Sequence, residues 1–118
     1  MQLPIHQEGN ITVASLTGQI DSVSAVDLER DIMLLLDQNT KSLLLDCSEL
    51  DYINSAGLRV FLLAAKRLEQ SAGSLAFCSL DSNVLMVFET IGFDRILTIY
   101  PDKSAALAGM NSATAKAA

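Results

Sequence analysis

The chain has 118 residues, enough for one domain with a core of its own. It is 50% hydrophobic and 19% charged, a globular rather than a disordered composition. Its net charge of −6 argues against nucleic acid or an anionic membrane as partner, because both need a basic face. With 5% aromatic residues and no Trp, the core has to be built from Leu, Ile, Val and Ala. The opening MQLPIHQEGN lacks the basic and apolar regions of a signal peptide. No apolar run approaches the roughly 20 residues that span a bilayer. The expectation is a soluble, cytoplasmic protein.

Residues 2–8 and 10–17 read as two strands joined by a tight loop at Gly9-Asn10, with Ile11, Val13 and Leu16 inward. Gly18-Gln19-Ile20-Asp21 then leads to a helix. Ser24 is the expected cap there, Val23 and Leu28 form a hydrophobic staple, and Leu28, Ile32, Leu35 and Leu36 make the buried stripe. Asn39 ends that helix.

The stretch from Asp46 to Leu68 organises the chain. Leu43, Leu44 and Leu45 suit a strand covered on both faces. After a turn, Leu58, Phe61, Leu62, Ala65 and Leu68 fall at helical spacing. Ser55 stands at the hand-over, expected to cap the helix and exposed at its positive end. Gly73 is the expected C-cap. Residues 74–80 read as a strand, Ser82 as the cap of a helix over 83–91, and Gly92 as its close. Val84, Val87, Phe88 and Ile91 share one face of that helix. Ile96, Leu97 and Ile99 mark a last strand, and a short helix from Pro101 carries Ala105, Leu107 and Met110. The reading is one domain over residues 1–109 and a mobile tail over 110–118. Alternation of strands and helices after the hairpin predicts an α/β fold. Its sheet is mixed and mostly parallel, with four or five strands and three or four helices.

A search for catalytic chemistry finds none. His6 is the only histidine, and neither a nucleophile-elbow pattern nor a phosphate-cradling or dinucleotide loop occurs. Cys47 and Cys78 are isolated and read as small apolar residues. His6, Cys47 and Cys78 lack metal-site spacing. Asp46, Glu49 and Asp51 cluster before Ser55, but without a partner base they read as polar turn chemistry.

Tyr52-Ile53-Asn54-Ser55-Ala56-Gly57-Leu58 resembles the phosphorylation-site signature of STAS domains, specifically of bacterial anti-sigma factor antagonists. Gly18-Gln19-Ile20-Asp21 is similar to the family's Gly-x-Leu-Asp turn. Val84, Phe88, Gly92, Phe93, Ile96 and Tyr100 are similar to its final helix and strand. The resemblance spans roughly residues 9–108. It implies a partner switch. The unphosphorylated protein would bind an anti-sigma factor, itself a serine kinase of the histidine-kinase-like ATPase type, and so release a sigma factor. The kinase would phosphorylate Ser55, and a PP2C-type phosphatase would reset it. Asp21, Asn54, Ser55, Ala56, Gly57 and Arg59 would then form the partner surface, with no cofactor, metal or enzymatic activity in this chain. Asn54 stands where the family most often has Asp, and Ala56 where many members have a second Ser. Alternatives within the fold are a STAS subunit of a lipid-transport complex or a stressosome. A small-molecule or nucleotide-binding module is a further one.

Overall fold

The computed structural model describes the backbone of residues 3–117 and the side chains of residues 3–111. Ile5–Glu8 (β1) and Ile11–Ile20 (β2) pair antiparallel, with Glu8 opposite Ile11, so Gly9 and Asn10 alone turn the chain. Gly9 has φ +63°, the conformation the first residue of such a loop requires. Then follow helix Ser22–Asp37 (α1), strand Ser42–Ile53 (β3) and helix Ser55–Gln70 (α2). Strand Ser74–Cys78 (β4), helix Ser82–Thr90 (α3) and a 3-10 turn over Phe93–Arg95 come next. Strand Thr98–Tyr100 (β5) and helix Lys103–Ala117 (α4) complete the chain. The five strands lie in the order β1-β2-β3-β4-β5, all parallel except the β1–β2 pair.

Both faces of the sheet are covered, which is why β2 and the first half of β3 are apolar on both sides. On one face, Ala14, Leu16, Leu43, Leu45, Cys47 and Phe77 pack against α1, α2 and α3 through Leu28, Ile32, Phe61, Ala64, Leu68, Val84 and Phe88. Phe77 sits at the centre of that layer, edge-on to Phe61 at 4.8 Å and to Phe88 at 5.5 Å between ring centroids. On the other face, Ile11, Val13, Leu44, Ala76 and Cys78 are covered by Ala106 and Met110 of α4.

Strand β3 runs on to Ile53 where a turn was expected after Asp46. It is held by β2, and its register against β2 shifts between Ser15 and Thr17 and again between Gly18 and Gln19. Each shift adds one residue to β3, so its core-facing positions become Leu45, Cys47, Leu50 and Ile53 instead of a strict alternation. Asp46, Glu49 and Asp51 therefore belong to the strand, not to a turn, and Asp46 accepts from the Ser48 amide at 3.0 Å.

Other expectations are corrected locally. The caps are not the serines: Asp21 caps α1, Asn54 caps α2 and Asp81 caps α3. An Asp or Asn one position before Ser22, Ser55 or Ser82 offers an oxygen in place first, and Ser24 instead completes the Asp21 capping box from inside α1. Val23 is 80% exposed, so it forms no staple with Leu28. At the end of α2 the left-handed residue is Ala72, φ +60°. Gly73 is needed for space, since a Cβ there would lie 2.5 Å from the Lys41 carbonyl. Leu62, Ile91 and Ile96 are exposed, while Val60, Ala64 and Leu97 take inward positions. The last strand starts only at Thr98, after the 3-10 turn. Met110 is buried, and α4 runs past residue 109 to Ala117. The side chains of residues 112–118 lie outside the described residues. Among the described residues, no helix is long and apolar enough to cross a membrane.

Candidate phosphorylation site at the paired starts of α1 and α2

Because β2 and β3 are adjacent and parallel, the helices that leave their ends start side by side. The Asn54 amide donates to the Ile20 carbonyl at 3.1 Å, which fixes the hand-over from β3 to α2 against the end of β2. Asn54 Oδ1 accepts from the amides of Ala56 (3.0 Å) and Gly57 (3.3 Å), and Asn54 Nδ2 donates to Ser22 Oγ at 3.3 Å. One turn further, Arg59 pairs with Glu29 at 3.2 Å; at the far end, Arg67 pairs with Asp37. The two helices therefore run in the same direction, clasped at start, middle and end.

Gly57 sets how close this packing is. It is buried, and a Cβ there would come within 2.6 Å of Ile20 Cγ2 and 2.8 Å of Ile53 Cγ1. Gly57 is thus a spacer that seats the first turn of α2 on the ends of β2 and β3, not a surface residue. Ala56 is half-buried, packed against the core. Ser55, the first residue of α2, is exposed. Asn54 has taken the capping role, so the Ser55 hydroxyl is not needed for the fold and stands at the positive end of the helix.

Asp21 lies at the neighbouring start. Its carboxylate accepts from the amides of Val23 (3.0 Å) and Ser24 (2.9 Å) and meets the Ser24 hydroxyl at 3.2 Å. The Ser24 amide is the largest of the causes that hold its pKa below the ordinary aspartate value, followed by the Ser24 hydroxyl. Asp21 is therefore a fixed negative charge beside the site.

The sequence missed Val26. Ser22, Val26, Glu29, Met33 and Asp37 recur at three- and four-residue spacing; Ser22 touches the α2 cap Asn54, and Glu29, Met33 and Asp37 touch α2 itself. Val26 shares that seam yet is 66% exposed, and Val23, one turn before it, is more so. Tyr52, at the end of β3, is half exposed. The end of the sheet around Ser55 thus presents apolar side chains beside a hydroxyl and an acid, a composition suited to a protein partner. The signal available was that Val23 and Val26 fall off the Leu28–Ile32–Leu35 stripe.

An open cleft of about 410 Å³ begins at Arg59 and runs along the outer flank of α2, lined also by Leu62, Lys66, Glu69, Ile96 and Leu97. The remaining candidates are not at this site. His6 is on β1 with Glu8 at 3.0 Å and Lys103 at 3.2 Å. Cys47 and Cys78 are free and buried on opposite faces of the sheet, and burial raises both thiol pKa values. Among the described residues, no three His, Cys, Asp or Glu side chains are gathered to hold a metal.

Comparison with known proteins fits this geometry. The STAS-domain family model matches residues 2–106, and the chain belongs to that family. It is similar to a Bordetella bronchiseptica protein carrying the provisional name anti-sigma factor antagonist BtrV. The two are 38% identical over 113 residues, 96% of this chain and 97% of BtrV. Its fold is similar to a Thermotoga maritima structure with the same provisional assignment, at TM-score 0.89 and 21% identity, covering 92% of this chain and 94% of that one. SpoIIAA of Bacillus, solved in its phosphorylated form, superposes with TM-score 0.69 at 17% identity over 89% of this chain and 96% of that one.

Proposed function

We propose that this chain is an anti-sigma factor antagonist switched by phosphorylation of Ser55. The observation that carries the reading is the placement of Ser55: exposed, released from capping, and at the N-terminus of α2 within the Tyr52–Leu58 signature. The name borne by BtrV and the phosphorylated form of SpoIIAA support it. The unphosphorylated Ser55 end, with Asp21, Asn54, Val23, Val26 and Arg59 around it, docks on an anti-sigma factor. That partner is also a serine kinase of the histidine-kinase-like ATPase type, and a PP2C-type phosphatase restores the hydroxyl. The chain acts by binding rather than by catalysis, and its ATP-dependent and sigma-factor partners place it in the cytoplasm.

A phosphate adds about −1.5 to −2 charges at pH 7. The helix terminus tolerates it, favouring negative charge by about 0.3–1 kcal/mol, so the fold is kept. The cost falls on the complex, where a dianion next to Asp21 has to enter a desolvated interface. The test is intact mass and peptide mapping of the native protein with and without phosphatase, paired with pull-downs. A phosphatase-sensitive phosphate on Ser55, retained partner binding by Ser55→Ala and weak binding by Ser55→Asp are expected. Equal partner affinity for wild type and Ser55→Asp would remove charge as the signal.

A further inference from the structure

The sheet ends at β5, which is three residues long, and the outer flank of α2 faces the 3-10 turn region across the open cleft. A second cleft of about 270 Å³ continues the first, sharing Ala65, Glu69, Ile96 and Leu97 and reaching Gly73 and Thr98. Leu62 on the α2 bank is 38% exposed and Ile96 on the opposite bank 65%, so apolar side chains stand in water on both sides. The charges along these banks come in both signs. Lys66 and Glu69 lie one turn apart on α2, and Asp94 and Arg95 precede Ile96. All four are exposed, and among the described residues none of their side chains makes an ion pair or a hydrogen bond. By contrast, Arg30, Arg59, Arg67 and Lys103 are each paired with an acid.

We propose that this flank is a self-association surface whose occupant is a second copy of the chain, packed against it about a two-fold axis. Such an axis sets one patch against itself, so the patch has to carry both partners of every polar contact. This one does. With the two α2 helices antiparallel and the axis passing between Lys66 and Glu69, Lys66 of each copy faces Glu69 of the other. Leu62 and Ile96 are then covered, which supplies the apolar centre such a contact needs. A second copy suits these charges better than a different partner does. Unpaired cations alone would ask for an acidic partner and unpaired acids for a basic one, whereas this surface has two of each. The chain's net charge of −6 opposes self-association where acids dominate, but here the four unpaired charges cancel. Arg59, held by Glu29, stands at the mouth of the cleft, so the seam ends where the Ser55 surface begins. The inference does not depend on phosphorylation of Ser55.

The experiment is sedimentation equilibrium of the full, unphosphorylated chain from about 10 μM to about 1 mM, the range in which a small, transient interface is populated. A concentration-dependent rise toward the dimer mass is expected. Lys66→Glu and Glu69→Lys should each weaken association about tenfold, because the two-fold axis doubles every like-charge contact. Combined, the two substitutions restore opposite charges across the seam and should return the dimer to within about threefold of wild type. Ile96→Ser should weaken it as well, whereas Leu34→Ser, in an exposed position on α1, should not. All four side chains are exposed, so the fold should be kept, which the urea midpoint checks. A wild type that stays monomeric to about 1 mM leaves the flank to a different occupant and overturns the proposal. So does a double variant no tighter than the single ones, or a dimer lost in Leu34→Ser and kept in Ile96→Ser.

Discussion

Replacing Gly57 by Ala separates helix propensity from packing, because the two have opposite signs there. By propensity alone, Ala within a helix is about 1 kcal/mol better than Gly. Yet the added methyl would sit 2.6 Å from Ile20 Cγ2 and 2.8 Å from Ile53 Cγ1, where carbons normally rest near 3.5–4 Å. Relief requires a shift of about 1 Å between α2 and the strand ends. Ile20 and Ile53 are 0% and 4% exposed, and the Ile20 contact is a β-branch methyl with little freedom. Overpacking of this kind costs about 1–3 kcal/mol. The expected net result is a destabilisation of about 1–2 kcal/mol, read from the midpoint of urea unfolding at constant m-value. The loss should be accompanied by chemical-shift changes that centre on Ser55 and Ser22. Stability equal to wild type, or greater, would refute the reasoning, since propensity would then have decided the position.

Asp81→Ala should cost about 1 kcal/mol in the same assay, whereas Asp81→Asn should cost little, because only an oxygen is needed for the Val84 amide. Asp21 makes the start of α1 pH-dependent. Its folded-state pKa is depressed, chiefly by the Ser24 amide, so its contribution is present above the unfolded value and is lost as pH falls through the folded one. Amide exchange in the first turn of α1 should therefore accelerate in that acid range, and Asp21→Asn should abolish the dependence. Cys47 and Cys78 should fail to react with a thiol reagent in the native protein at pH 7. Both should react on unfolding in urea, because burial and a raised pKa protect each thiol.

Much of the site was legible because local chemistry carries it. The signature around Ser55 stands in the sequence, and the apolar stripe Leu28, Ile32, Leu35, Leu36 survives intact in the fold. What failed locally failed by small displacements with a common cause. Each serine expected as a cap has an Asp or Asn nearby whose side chain reaches the helix amides first. Gly57 was placed on the partner surface, and packing buries it.

By itself the sequence determined the class of fold, the strand–helix alternation and the identity of the exposed hydroxyl. These depend on composition, periodicity and contiguous residues. Tertiary structure alone decided that β3 continues through Asp46, Glu49 and Asp51, since two register shifts against β2 replace the period-two pattern that would have announced a strand. It also decided that Ser22 of α1 meets Asn54, the residue before Ser55. Their proximity arises only when parallel strands bring two helix starts together across 32 residues of chain, a separation over which no local pattern carries information.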